Sequence, residues 1–292
     1  MQRWTIILLS CLSTAFATPS FAETAIERIS RTGILNAGTR TDAAPFSYIN
    51  GNGEWVGYSI DLLKEIEARL EQALSKEIQL NLVEVTTENR VARVQQGEVD
   101  IVCSSTSYTS SRATQVDFSV PYFPTGTQYL VKDDNSFSIG EFRVGIVPRT
   151  TNAEVAEEYL GIATFINFED QAEGLLALEV GRIDALAGDG ILLEGLRQTS
   201  ENPDELSIIP PEPISPQAYA CFLNKQNPEL LELVNQSLIE FMQGVLTNDN
   251  QDVAIFNTWF GAEGVTPVNP EPIYEFFQFT IDSYEDSNQR QL

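Results

Sequence analysis

The stretch Cys103-Ser-Ser-Thr-Ser-Tyr-Thr-Ser-Ser-Arg112 follows a short apolar segment, residues 99–102, that is typical of a buried β-strand. In open α/β folds the loop after a strand lies at the carboxyl edge of the sheet, where ligands bind. Ser105 and Ser107 can donate hydrogen bonds there, and Arg112 can present its planar guanidinium to a carboxylate. The same composition would also suit a polar surface loop in which Arg112 forms an ordinary ion pair.

Outward from this stretch, apolar strand patterns alternate with amphipathic helix patterns. We expect strands at residues 34–38, 46–49, 55–56, 78–85, 99–102, 128–132, 143–147, 164–168, 183–187, 206–209 and 218–223. We expect helices at residues 23–32, 59–74, 88–96, 152–160, 170–180, 191–198 and 227–242, and one that ends at 260. This alternation predicts an α/β fold with mainly parallel sheets.

Two segments of the chain resemble each other. Gly97-Glu-Val-Asp-Ile-Val-Cys-Ser-Ser and Gly181-Arg-Ile-Asp-Ala-Leu-Ala-Gly-Asp each read as a helix stop, a short strand and a polar loop. The similarity indicates two related α/β lobes, although chance repetition of common α/β signals is the alternative. If the lobes face each other across a cleft, the opposing side chains are Ser105, Ser107 and Arg112 on one side and Thr150, Thr151 and Asp189 on the other.

The opposing groups suit an α-amino acid. Arg112 can hold its carboxylate, Asp189 can accept hydrogen bonds from its ammonium group, and a helix beginning near Asn152 adds backbone N–H donors. Arg40, at a strand end, and Arg90, on a helix, are further candidates for cations in the cleft. Each of these two arginines, taken alone, would also fit a solvated surface position.

The composition excludes several functions. The chain has no histidine and a formal net charge of −25. Such a charge repels nucleic acid and anionic membrane surfaces. The lack of histidine removes the commonest metal ligand and the commonest general base. We therefore expect no nucleic-acid partner, no metal and no cofactor.

Residues 1–22 have the pattern of a secretory signal peptide. Arg3 supplies the positive charge, residues 4–16 are mostly apolar, and Ser20-Phe21-Ala22 is a small-residue cleavage site. The apolar run is too short for a membrane span. We expect cleavage after Ala22 and an exported protein, with lipidation at Cys11 as the less favoured alternative.

Two cysteines remain after such a cleavage, Cys103 and Cys221. An even number in an exported protein favours a disulfide, and two buried free thiols are the alternative.

Together, several motifs resemble the periplasmic amino-acid-binding proteins of ABC importers, solute-binding protein family 3. They extend in order from about residue 33 to residue 262. The motifs are Ala44-Pro-Phe-Ser-Tyr48, Gly57-Tyr-Ser-Ile-Asp-Leu62, Asn89-Arg90, Gly97-Glu-Val-Asp100, Ser105-Thr-Ser107 to Arg112, Asp117-Phe-Ser-Val-Pro-Tyr122 and Asp189.

The resemblance implies a type II periplasmic-binding fold, in which two lobes, each a mainly parallel sheet flanked by helices, are joined by two crossing strands. Lobe 1 would be residues 33–129 with 219–262, and lobe 2 residues 134–215, with crossings at 128–132 and 217–223. The tail, residues 263–292, would pack on the body. A periplasmic monomer that closes on its ligand and docks on an ABC transporter permease is implied.

Within this family the sequence most resembles the glutamate/aspartate-binding subgroup. That likeness implies that Arg40, Thr87 and Arg90 hold the side-chain carboxylate of the ligand. It implies that Ser105, Ser107 and Arg112 hold the α-carboxylate, and that Asp189 accepts from the ammonium. Cys103 and Cys221 coincide with a cysteine pair of the subgroup.

Gln171 departs from the subgroup, which has a histidine at this position in contact with the ligand side chain. A glutamine can donate to a carboxylate and can also pair with an amide. Glutamine and asparagine therefore join glutamate and aspartate as expected ligands.

Two other functions remain open. One is a periplasmic dehydratase of the cyclohexadienyl type on the same fold, but the chain has no histidine and no paired carboxylates assigned to acid–base work. The other is a sensor domain that presents its ligand to a signalling partner. The favoured reading is a binding protein and not an enzyme.

Overall fold

The computed structural model describes residues 23–133 and 142–290. The predicted signal peptide, residues 1–22, and the alternative lipidation site Cys11 lie outside these ranges. The described strands are β1 (Ile34–Thr39), β2 (Asp42–Ala43), β3 (Ser47–Ile49), β4 (Trp55–Val56), β5 (Gln79–Glu84), β6 (Ile101–Val102), β7 (Asp117–Lys132), β8 (Arg143–Ile146), β9 (Thr164–Asn167), β10 (Ala185–Asp189), β11 (Leu206–Ile209) and β12 (Pro216–Leu223).

Helices alternate with these strands, as the sequence predicts for an α/β fold. They are α1 (Ala25–Thr32), α2 (Tyr58–Leu74), α3 (Arg90–Gln95), α4 (Ser110–Ala113), α5 (Thr151–Tyr159), α6 (Gln171–Glu179), α7 (Gly190–Arg197), α8 (Pro228–Thr247), α9 (Asn250–Phe260) and α10 (Glu271–Gln289). Across the described ranges, no helix is both long enough and apolar enough to cross a membrane.

The nine-stranded sheet has the order β5-β1-β6-β12-β7-β10-β8-β9, with β11 paired to β7. Strands β5, β1 and β6 are parallel, and so are β10, β8 and β9. The antiparallel pairs involve β7, β11 and β12. The sheet thus contains two groups of parallel strands, joined by antiparallel pairing. We call β1–β6 with α1–α4 lobe 1, and β8–β11 with α5–α7 lobe 2.

Strand β7 belongs to both parts of the sheet. Its first part pairs with β12, and residues from Thr127 onward pair with β10. The strand predicted at residues 128–132 is therefore only the end of a 16-residue strand. The part of β7 before residue 128 was not predicted, because it contains Pro121 and Pro124 and proline is uncommon inside a sheet. The pairing of β7 with β12 has register shifts near these prolines.

The chain around Asp189 also differs from its prediction. The sequence suggests a Gly188-Asp189-Gly190 loop, but Asp189 is the last residue of β10 and α7 begins at Gly190. A Cβ atom on Gly190 would lie 1.6 Å from Gln128 Oε1. Glycine at this position therefore allows the helix to start directly at the end of the strand, and it leaves Asp189 on a rigid element.

Apolar helix faces explain most of the core. In α2 the buried residues recur at helical spacing, among them Ile66 and Leu70. In α10, to which the sequence analysis assigns no secondary structure, Ile273, Phe277 and Ile281 are buried in the same cluster. The largest apolar cluster thus joins lobe 1 to the three C-terminal helices.

The predicted disulfide between Cys103 and Cys221 is confirmed. It joins the residue after β6 to β12, with Cα atoms 4.4 Å apart and a sequence separation of 118. Both cysteines are fully buried. The bridge fixes the loop that carries Ser105 and Ser107 to β12.

Candidate ligand-binding site

A small polar cavity, with a volume of about 20 Å³, lies between the two lobes. All ten predicted ligand-binding residues line it. The lining residues are Arg40, Thr87, Arg90, Ser105, Ser107, Arg112, Val147, Thr150, Thr151, Asn152, Gln171, Asp189 and Leu192. Whether they bind a ligand stays a prediction, but the structure brings them together.

Arg112 is held by two backbone carbonyl groups. Its Nη1 donates to Ser107 O at 2.9 Å, and its Nη2 donates to Arg149 O at 3.2 Å. Burial lowers the pKa of Arg112, and the carboxylates of Glu154 and Asp189 oppose this. An arginine has five N–H donors. The two anchoring bonds therefore fix the plane of the guanidinium and leave donors for an anion.

The N-terminus of α5 forms another part of the wall. Thr150 is the cap: its Oγ1 accepts from Ala153 N at 3.2 Å and donates to Val147 O at 2.7 Å. The sequence analysis places the start of this helix at Asn152, one residue after its observed start at Thr151. Within the described chain the backbone N–H groups of Thr151 and Asn152 have no hydrogen-bond partner. These free donors at the positive end of a helix are suited to a carboxylate.

Asp189 is only 5% exposed. Its Oδ2 accepts from Asn152 Nδ2 at 3.0 Å, and its Oδ1 accepts from Thr125 Oγ1 at 3.3 Å. Burial raises the pKa of Asp189, and the hydrogen bond from Asn152 is the largest opposing influence. A buried carboxylate without a cationic partner is destabilised. A ligand ammonium group would supply that charge.

Arg90 is 3% exposed, and its Nη1 donates to Thr106 Oγ1 at 2.7 Å. Burial, followed by repulsion from Arg112 and Arg40, lowers the pKa of Arg90 to about 9. No carboxylate among the described residues forms an ion pair with it. Arg90 would therefore stabilise a ligand atom that is negatively charged or is a strong hydrogen-bond acceptor.

Arg40 differs from the other two arginines because it already has a carboxylate partner. Its Nε and Nη2 donate to the two carboxylate oxygens of Asp42 at 2.8 and 2.6 Å, and its Nη1 donates to Ser105 Oγ at 3.2 Å. Burial alone would lower the pKa of Arg40, but Asp42 more than compensates and the pKa is raised.

Gln171, the first residue of α6, has a fixed orientation. Its side chain lies 3.3 Å from the carbonyl oxygen of Ala187, which must accept, so the amide nitrogen Nε2 is the atom that faces it. Gln171 Oε1 is buried and has no hydrogen-bond partner among the described residues. The cavity therefore contains an unused acceptor.

The sequence analysis missed three lining residues, Val147, Asn152 and Leu192, and the partner of Arg40, Asp42. Asn152 stood out only as a helix-start residue, whereas its side chain bridges Thr127 and Asp189. Leu192 joins the apolar cluster of lobe 1 although it lies on α7 of lobe 2. No sequence signal marks a contact between lobes.

A larger groove, about 1000 Å³, shares no lining residue with the polar cavity. Its wall is mostly apolar, and its charged lining residues are Glu194 and Glu212. Such a groove lacks the cation that a carboxylate needs. The polar cavity is therefore the better candidate for a charged solute.

A cavity between two α/β lobes, lined by a guanidinium group from one lobe and by a helix N-terminus and a buried carboxylate from the other, is typical of a solute-binding protein. The chain belongs to the bacterial extracellular solute-binding proteins, family 3, whose family model matches residues 35–262.

The chain is 28% identical over 289 residues to the glutamate/aspartate import solute-binding protein of Escherichia coli strain K12, with 94% of this chain and 92% of that protein covered. It is 28% identical over 228 residues to the ABC transporter glutamine-binding protein of Bacillus subtilis strain 168, with 76% and 79% covered. An ancestral amino acid-binding protein, a precursor of cyclohexadienyl dehydratase, has a similar crystal structure. Its TM-score is 0.68 at 27% identity, over 81% of this chain and 99% of that one.

Proposed function

We propose that this protein captures an acidic amino acid, glutamate or aspartate, outside the cytoplasm and delivers it to an ABC importer. The observation that supports the proposal is that Arg112 of lobe 1 and Asp189 of lobe 2 line one cavity. An α-amino acid has a carboxylate and an ammonium group within a few ångströms of each other. The E. coli relative is, by its name, a glutamate/aspartate import protein, and this supports the same class of ligand.

The α-carboxylate of the ligand would bind Arg112 and the free N–H groups of Thr151 and Asn152. Its ammonium group would bind Asp189, which Asn152 and Thr125 orient. Arg90 would then bind the side-chain end of the ligand. Because the groups belong to both lobes, a bound ligand favours the closed arrangement over an open one.

Calorimetry of the mature protein against a panel of amino acids tests the proposal. We expect glutamate or aspartate to bind with a Kd below about 100 μM, a modest threshold for a dedicated binding site. If neither glutamate nor aspartate binds with a Kd below about 100 μM, the proposed acidic ligand is wrong. Light scattering in the same buffer tests whether the protein is a monomer.

The enzyme alternative has one observation in its favour, the structural likeness to a dehydratase precursor. Among the residues that line the cavity, Asp189 is the one carboxylate, so a second acid–base group is not at hand. Release of product from a cyclic carboxylated precursor of phenylalanine, followed by absorbance, would support the enzyme. Neighbouring genes for a permease and an ATPase would favour import over sensing.

A further inference from the structure

The end of the cavity formed by Arg40, Arg90 and Gln171, here called the side-chain end, carries less positive charge than its two arginines suggest. Asp42 contacts Arg40 through two hydrogen bonds of 2.8 and 2.6 Å. Paired carboxylate and guanidinium groups in this fork geometry largely neutralise each other. Arg40 therefore acts on a ligand mainly as a neutral pair.

The surroundings of the side-chain end add negative charge. A neighbouring pocket shares Arg40 and Thr87 with the ligand cavity. Its other charged lining residues are all acidic: Asp42, Glu84, Glu88, Glu169 and Asp170. Asp42 is paired with Arg40 and Glu88 with Arg149, so this pocket adds only a weak repulsion of a ligand carboxylate, and the pairing of Arg40 is the main influence.

Gln171 supplies an acceptor at the same end. One N–H of Nε2 donates to the Ala187 carbonyl and a second N–H remains, but Oε1 has no partner among the described residues and is the atom that can accept from a ligand. An acceptor pairs with a ligand N–H and repels a carboxylate oxygen. The amide of glutamine or asparagine matches both neighbours, since its oxygen can accept from Arg90 and its nitrogen can donate to Gln171.

We propose that Asp42 is a specificity-determining residue, and that with Gln171 it lets the cavity bind glutamine and asparagine about as tightly as the corresponding acids. The inference rests on the proposed function, because it requires that an amino acid binds. It adds Asp42, which would not contact the ligand itself but would reduce the positive charge that Arg40 presents to the ligand.

Competition calorimetry with glutamate, glutamine, aspartate and asparagine tests the inference. For the unchanged protein we expect the Kd values of glutamine and glutamate to agree within about tenfold. Asp42→Asn keeps the shape of the side chain and frees the charge of Arg40. We expect it to tighten glutamate relative to glutamine by roughly tenfold or more, as for a partly buried charge pair.

Glu84→Gln is the matched control, because Glu84 lines the same acidic pocket without contacting Arg40. We expect it to change the glutamate-to-glutamine ratio by less than about twofold. Equal shifts in the two variants would overturn the role of the Asp42–Arg40 pair. Gln171→Leu removes the acceptor, and we expect it to weaken glutamine roughly 3- to 10-fold more than glutamate.

The inference and the proposed function fail in different ways. If glutamate binds and glutamine is more than about 100-fold weaker, the inference is wrong and the proposed function stands. If none of the four amino acids binds, the proposed function itself is wrong. Circular dichroism of each variant verifies its fold, and Gln171→Leu tests the amide contact even if Asp42→Asn does not fold.

Discussion

The backbone carbonyl of Arg149 in lobe 2 accepts a hydrogen bond of 3.2 Å from the guanidinium of Arg112 in lobe 1. The Arg149 side chain also reaches across, to Glu88 Oε1 at 2.8 Å. Its backbone has φ +64°, a left-handed conformation that is uncommon for residues other than glycine. These two contacts join the lobes directly, so we expect Arg149 to stabilise the closed arrangement.

Removal of the Arg149–Glu88 contact should speed ligand release. Both side chains are more than half exposed, so the pair stabilises the closed state by at most about 1 kcal/mol. We expect Glu88→Gln to raise the dissociation rate up to about fivefold, with a smaller difference at high salt. Stopped-flow fluorescence measures this rate. Glu98→Gln breaks a comparable exposed pair with Arg93 within lobe 1 and should leave it unchanged.

Truncation of Arg112 should have a much larger effect. We expect Arg112→Ala to weaken amino-acid binding by about 30-fold to several thousand-fold, as for loss of one partner of a desolvated charge pair. Calorimetry gives the Kd. Arg31→Ala, which removes an exposed arginine paired with Glu23, is the control. Near-equal affinity of the two variants would show that Arg112 does not hold the ligand carboxylate.

Binding should weaken as the pH falls, because the ligand ammonium needs ionised Asp189. Burial raises the pKa of this carboxyl, so we expect the loss to begin at a higher pH than for an exposed aspartate. Calorimetry in buffers of different ionisation enthalpy should also detect proton release on binding in this range. Asp189→Asn should bind weakly and show a flatter pH profile; a profile as steep as that of the unchanged protein would contradict this role.

The same carboxyl should affect folding in the opposite sense. Its pKa is higher in the folded ligand-free protein than in the unfolded chain, so the folded state binds more protons. Its contribution to the free energy of unfolding therefore falls as the pH rises through this range. A saturating ligand should reverse that trend, because it stabilises the ionised form.

Reduction of the Cys103–Cys221 disulfide should destabilise the protein by roughly 4 to 5 kcal/mol, since the bridge closes a long loop in the unfolded chain. Urea unfolding with and without reductant measures the loss. In a Cys103→Ser, Cys221→Ser double variant the reductant should have no effect. Mass spectrometry that finds two free thiols in the untreated mature protein would contradict the bridge.

Alanine at position 57 should destabilise the fold by about 3 kcal/mol or more. Gly57 has φ +144°, and a Cβ atom there would lie 2.0 Å from the carbonyl oxygen of Phe46. Gly51→Ala is the control, because a Cβ atom at Gly51 meets open space. We expect the control to change the free energy of unfolding by less than about 0.5 kcal/mol. Similar urea midpoints for the two variants would contradict the clash.

The sequence predicts best those helices and strands whose apolar pattern matches the face that is buried in the folded protein. The helix predicted at residues 59–74 begins one residue earlier in the structure, at Tyr58. Its apolar residues recur every three or four positions, and they are the ones buried against the sheet. The first part of β7 could not be predicted in this way, because its prolines are accepted only through irregular pairing with β12.

In the candidate site, too, some residues were predicted from the sequence and some contacts were not. Arg112 and Asp189 were predicted because their chemistry matches the two ends of an amino acid. The pairing of Arg40 with Asp42 was not, because a sequence does not tell which anion an arginine contacts. Likewise, Asn152 bonds to Asp189 across 37 positions of sequence, a contact that only the folded chain creates.

Strand β7 is a neighbour to β12 in one part of the sheet and to β10 and β11 in the other. A gene fragment that encodes one lobe would therefore lack part of β7, or would keep β7 without some of the strands that pair with it. The bare strand edges would expose unpaired N–H and C=O groups and invite aggregation. The halves therefore cannot be produced separately and recombined, and any fusion or permuted version must keep β7 uninterrupted.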